Sequence, residues 1–149
     1  MRNANTLPTS NSDEYMESRF VPAAESLLSD SHFILAYPEE EMWFNYKKPR
    51  KTKSEAYRIA AKLGVPIIPT FVTMKADESE LDGDGFFKIL HTIHVMPPIY
   101  PDPQKSIDEN SEMMQAEDYA AKVRCYEAAY KITLDESFVE KRDIAGFVV

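Results

Sequence analysis

A six-residue apolar run at 32–37, H-F-I-L-A-Y, stops at Pro38 and gives way at once to three carboxylates, Glu39, Glu40 and Glu41. The only tryptophan, Trp43, follows, and five cations then crowd into residues 47–53: Lys47, Lys48, Arg50, Lys51 and Lys53. That order constrains the fold. A continuous apolar run of this length suits a strand covered on both faces. A proline followed by charge suits the loop at the strand's C-terminal end, where open α/β sheets place their ligands. There, guanidinium and ammonium groups hold a phosphate and a fixed carboxylate accepts hydroxyl protons. The plainer reading of the same residues is a solvated charged turn capped by one packed Trp.

The neighbouring segments predict a strand–helix–strand unit. T-K-S-E at 52–55 has capping-box form, with Thr52 as N-cap and Glu55 reaching back. The helix it opens carries Ala56, Ile59, Ala60 and Leu63 on one side and meets a stop at Gly64. Residues 65–74 read as the next strand, bent or edge-placed at its start because Pro66 and Pro69 donate no ladder bonds. That order implies a right-handed parallel crossover. Upstream, residues 13–28 have helical spacing interrupted by Pro22, where the helix kinks or begins.

Downstream, residues 77–85 read as an acidic loop and 86–95 as a strand with Phe87, Ile89, Ile93 and Val95 on one face. Pro97, Pro98, Pro101 and Pro103 make a rigid exit. Residues 111–131 form a long helix with Met114, Ala120, Val123 and Tyr130 near one face. The expected architecture is one α/β domain over 1–149, a mainly parallel sheet flanked by helices. A leading loop at 1–12 and a C-terminal tail at 132–149 complete it.

Composition excludes several function classes. A chain of 149 residues, 44% hydrophobic and 28% charged, can bury a core as a globular domain does. Its formal charge of −8 argues against nonspecific nucleic-acid binding. No apolar run approaches the ~20 residues that cross a bilayer, so any membrane contact is peripheral or comes from a missing segment. The single cysteine, Cys125, forbids an internal disulfide, fits a reducing compartment, and reads as a packing residue. His91 and His94, three apart on a strand, point to opposite faces and share no metal. Asp82-Gly83-Asp84-Gly85 lacks the later ligands of a calcium loop and reads as a turn.

The wording of residues 37–50 resembles the third conserved block of the glycerolipid (lysophosphatidate, or 1-acylglycerol-3-phosphate) acyltransferases, commonly F-P-E-G-T-R. It is more similar to a variant branch reading Y-P-E-x-E-M-W followed by N-Y-x-K-P-R. Val65-Pro66-Ile67-Ile68-Pro69 is similar to the fourth block, and Arg2 falls about where the arginine of the second block would sit. Together these matches span residues 2–74. The family's H-x-x-x-x-D block is missing: the fifth residue after His32 is Tyr37, after His91 Met96, and after His94 Ile99. No catalytic residue is therefore assigned in this chain, which reads as an N-terminally incomplete acyltransferase domain.

The resemblance implies transfer of a fatty acyl group from acyl-CoA or acyl carrier protein to a lysophospholipid or glycerol-phosphate hydroxyl. It implies no metal or organic cofactor, and a cytoplasmic protein at the membrane periphery. Glu39, Lys47, Lys48, Arg50 and Arg2 are the implied acceptor and phosphate residues. Tyr37, Pro38, Trp43, Val65 and Pro66 are the implied pocket lining, with Phe44 beside Trp43. The chain departs from the family where Glu40-Glu41-Met42 replaces Gly-Thr-Arg, which removes a flexible backbone position and the block's own cation. A non-catalytic phosphate- or lipid-binding interaction domain derived from the same fold is the alternative, and an unrelated hydrolase a remote third.

Overall fold

The computed structural model describes residues 6–81 and 85–147. Arg2 and the stretch Asp82, Gly83 and Asp84 lie outside the described residues. The chain divides into two compact units, Met1–Tyr37 and Pro38–Val149.

In the first unit, α1 (Asp13–Tyr15) is capped by Ser12, whose hydroxyl accepts from the Tyr15 N–H at 3.3 Å. A π-helical stretch, Met16–Phe20, leads into α2 (Val21–Ser29). Pro22 near the start of α2 has no N–H for the carbonyl four residues back, and the wider turn just upstream takes up the mismatch. Residues 32–37 then run on without joining a ladder. Phe33 and Leu35 are 86% and 72% exposed.

The second unit contains α3 (Glu55–Leu63), β1 (Thr70–Leu81), β2 (Phe87–Val95), α4 (Ile107–Tyr130) and α5 (Glu140–Asp143). Its only described sheet has two strands, and they are antiparallel. Thr70 lies opposite Val95, Met74 opposite His91 and Asp77 opposite Lys88, with a register shift between Asp77 and Leu81. The mainly parallel α/β sheet predicted from sequence is therefore wrong for this chain. A parallel ladder needs a first strand whose backbone groups pair with another strand, and residues 32–37 have no strand partner among the described residues. Thr70–Leu81 instead pairs with the next extended segment, the short-range solution. β1 also runs through 77–81, so the acidic loop expected over 77–85 is strand in its first five residues.

Pro66 and Pro69 do keep the ladder from starting early. Ile67 makes an isolated two-bond bridge with Ile99 (2.9 and 2.8 Å), and β1 begins immediately after Pro69. Gly64 ends α3 in the left-handed conformation expected of a glycine stop (φ 67). The capping box, however, belongs to α4: the Ser106 hydroxyl accepts from the Glu109 N–H and the Glu109 carboxylate accepts from the Ser106 N–H. Thr52 instead offers its carbonyl to Gln115 at 2.7 Å.

The core lies between α3 and α4, where Tyr57, Ala60, Ile99 and Met114 meet, with Val65, Ile67 and Met113 packed around them. Along α4 the buried side chains are Asn110, Ser111, Met114, Asp118, Lys122 and Tyr126, mostly every fourth residue. Two charged residues thus occupy core positions. At the far end of α4, the Tyr130 hydroxyl donates to the Met74 carbonyl (3.1 Å) and accepts from its N–H (2.8 Å), tying the helix to β1. No helix among the described residues is long and apolar enough to cross a membrane.

Candidate functional site

The loop 38–50 is clasped from behind by the C-terminal segment. Tyr46 bridges Ile144, the Ala145 N–H donates to Asn45 (2.8 Å), and the Lys47 N–H donates to Asp143 (2.9 Å). The Pro38 carbonyl accepts from the Lys53 N–H at 2.7 Å, which closes the loop on itself. Glu40 sits in the left-handed region at φ 56, and Asn45 at φ 48. Glycine enters that region without the Cβ clash that other residues meet. Glu40 stands where the resembled block has its glycine. Glu40→Gly is expected to stabilise the chain by about 0.5–1 kcal/mol, read as a raised urea midpoint at unchanged slope, while Glu40→Ala gains nothing.

Glu39 is anchored from α4. Its carboxylate lies 3.4 Å from the Lys122 ammonium, which is also 3.0 Å from Asp118. The Tyr57 hydroxyl donates to the same Asp118 carboxylate at 2.6 Å. Lys122 and Asp118 side chains are only 8% and 3% exposed, against 24% for Glu39. The row Tyr57–Asp118–Lys122–Glu39 therefore runs from core to surface and ends on a carboxylate open to solvent. Burial first, then the Asp118 hydrogen bond, raises the Tyr57 pKa far above the ordinary phenol range. Tyr57 stays a neutral donor.

The three cations assigned to phosphate do not converge. Lys48 is 5% exposed, and its ammonium meets Asp143 (3.0 Å), Asp135 (3.2 Å) and the Ser137 carbonyl (2.6 Å). Burial alone would lower its pKa, but the hydrogen bonds to Asp143 and Asp135 outweigh that and raise it. Arg142 grips the same two carboxylates, its Nε 2.7 Å from Asp143 and its Nη1 2.8 Å from Asp135. Burial pushes the Asp143 carboxyl up, yet Arg142, the Val139 N–H and Lys48 together hold it down at about 2.

Arg50 pairs with the Glu41 carboxylate and donates to the Glu41 carbonyl at 2.7 Å, with its guanidinium 4.5 Å from the centre of the Trp43 ring. Trp43 donates to that carboxylate too, at 3.2 Å. Lys47 lies over the Tyr130 ring at 5.6 Å. Of the lining residues, Trp43 and Phe44 are half-exposed, Pro38 is half-buried, Val65 packs into the core and Pro66 is exposed. Tyr37 belongs to the first unit and is 75% exposed.

Lys122, Asp118, Tyr57, Asp143 and Arg142 escaped the sequence reading. The one available signal was the four-residue spacing of Asp118 and Lys122 on a helix, which ordinarily marks a solvated pair. His91 and His94 emerge on opposite faces of β2, where the His94 ring lies 2.8 Å from the Thr73 hydroxyl. No protein-family model, curated protein or solved structure matches the chain.

Proposed function

We propose that the chain carries the acceptor side of a glycerolipid acyltransferase, working at the membrane periphery in phospholipid synthesis. The parent reaction moves a fatty acyl group from acyl-CoA or acyl carrier protein to a lysophospholipid or glycerol-phosphate hydroxyl. The chain contributes acceptor binding and no base, so by itself it holds the acceptor without turning it over. The observation that carries this reading is Glu40. The position matched to the family's glycine adopts the backbone region that glycine favours, even with glutamate in place.

Glu39 adds to it, as a carboxylate fixed from the core and open to solvent. In this role Glu39 accepts a hydrogen bond from a glycerol hydroxyl. Arg50 exchanges Glu41, whose side chain is 64% exposed, for the acceptor's phosphate. Arg50 itself is mostly covered, at 18% exposed, so the exchange moves the Glu41 carboxylate and leaves the guanidinium in place, and a planar guanidinium matches two phosphate oxygens. Deprotonation of the attacking hydroxyl needs a general base, typically worth ~10²–10⁴-fold, and no histidine here has an aspartate at the family's spacing.

The test titrates the chain with glycerol 3-phosphate and with glycerol while following backbone and Arg side-chain NMR signals. Saturable shifts at Glu39 and Arg50 are expected with the phosphate ester alone. Arg50→Lys should weaken binding severalfold and Lys53→Ala should leave it unchanged. Acyl transfer from a radiolabelled thioester to lysophosphatidate should stay at the protein-free rate. Equal behaviour of the two variants would overturn the phosphate assignment, and transfer above the blank would overturn the non-catalytic one.

A further inference from the structure

Lys47 faces a different part of the molecule from Glu39 and Arg50. It lines an open cleft of about 430 Å³ whose walls include Met74 and Ala76 of β1, Phe87 of β2, and Ile144 and Phe147 of the C-terminal segment. The register places Ala76 opposite Ile89, so Ala76, Met74 and Phe87 share one face of the hairpin. The Phe87 N–H donates to the Gly146 carbonyl at 2.9 Å and holds the C-terminal segment along β2. Gly146, at φ 78, has no room for a side chain: a Cβ would come within 2.6 Å of Ile89 Cδ1 and 2.7 Å of the Phe87 carbonyl. The far wall is therefore set close to the strand by design of the backbone.

Polar and apolar groups share the lining of this cleft about equally. Lys47 and Lys141 both line it, and neither has a carboxylate partner within ion-pair distance among the described residues. Lys48, Arg50, Lys51, Arg58, Lys88, Lys122 and Arg142 are ion-paired, and the two cleft lysines are among the cations that are not. One carboxylate, Glu78, shares the cleft. Lys47 is half-buried, fixed through its N–H to Asp143 and through its cation to the Tyr130 ring, and burial lowers its pKa.

We propose that this cleft binds a medium-chain carboxylate, with the alkyl body against Met74, Ala76, Phe87 and Ile144 and the head between Lys47 and Lys141. Its volume falls in the range of small-molecule sites, about 300–1,000 Å³. Apolar walls supply affinity through buried area, and the two ammonium groups select the sign of the head. This site uses neither Glu39 nor Arg50 and stands apart from the acyltransferase reading.

The experiment titrates the full chain with decanoate, decyltrimethylammonium and butyrate, following the methyl NMR signals of Met74, Ala76 and Ile144. Decanoate should give saturable shifts, while the cationic amphiphile and the short acid should not. Lys141→Glu, at an exposed position, should weaken decanoate about fivefold with an unchanged thermal transition. Ala76→Trp, which fills the cleft and keeps both lysines, should abolish the shifts at Ile144. Equal binding of decanoate and decyltrimethylammonium, no saturable decanoate shift, or wild-type affinity in Lys141→Glu would each overturn the assignment. Glycerol 3-phosphate has no alkyl chain, so failure here leaves the acceptor test unaffected.

Discussion

Replacing Lys48 with methionine is expected to lower the unfolding free energy by about 3–5 kcal/mol, the largest effect of any single change in the 38–50 loop. Methionine keeps the unbranched stem, so packing is nearly preserved and the loss is electrostatic. Asp143 is fully buried, and the substitution strips it of one of its two cations. Asp135 and Ser137 would lose a partner as well. Urea unfolding monitored by Trp43 fluorescence measures the change, and a loss below 1 kcal/mol would mean Arg142 alone satisfies Asp143.

The same cluster makes stability depend on pH. Asp143 titrates at about 2 in the folded chain, below its ordinary value of 3.8. A depressed carboxyl stabilises the fold above its unfolded pKa, and that contribution disappears as pH falls through the folded one. The wild-type chain should therefore lose stability between about pH 4 and pH 2, and Lys48→Met should flatten that part of the curve. A Lys48 pKa raised by its partners works in the opposite sense: its stabilisation is complete below the unfolded lysine value and lost only at strongly alkaline pH.

Legibility followed how local each determinant was. Gly64 as a helix stop, the two prolines delaying β1, and β2 itself (86–95 against Phe87–Val95) were readable because each depends on a few neighbouring residues. The parallel sheet was not. It required residues 32–37 to find a distant neighbour, and an apolar run states that it wants cover without saying what supplies it. α4 was located, but its buried stripe was misassigned. Met114, Ala120, Val123 and Tyr130 are the apolar choice, whereas burial follows Met114, Asp118, Lys122 and Tyr126. Hydropathy ranks Asp and Lys as surface residues. Only the positions of Tyr57, 61 residues before Asp118, and Glu39, 83 before Lys122, allow those heads to be buried. The phosphate residues show the same limit: Lys48 and Arg50 read as free cations until Asp135, Asp143 and Glu41 are placed beside them.

Asp118→Leu should be as damaging as the loss of Lys48, at about 3–5 kcal/mol, for a reason that a second variant can isolate. Without Asp118 the Lys122 ammonium keeps only Glu39, at 3.4 Å, while its side chain remains 8% exposed. The Tyr57 hydroxyl loses its acceptor in a side chain that is also buried. Replacing the whole group removes the buried charge instead of orphaning it. The triple variant Tyr57→Phe, Asp118→Leu, Lys122→Met should therefore recover to within about 1–2 kcal/mol of wild type. A triple variant as unstable as the single one would show that leucine clashes at position 118, and the electrostatic account would fall. The recovered chain also separates stability from binding: its Glu39 has no lysine to fix it, so affinity for glycerol 3-phosphate should drop although the fold is restored. Wild-type affinity in that variant would mean that Glu39 needs no anchor to meet the acceptor.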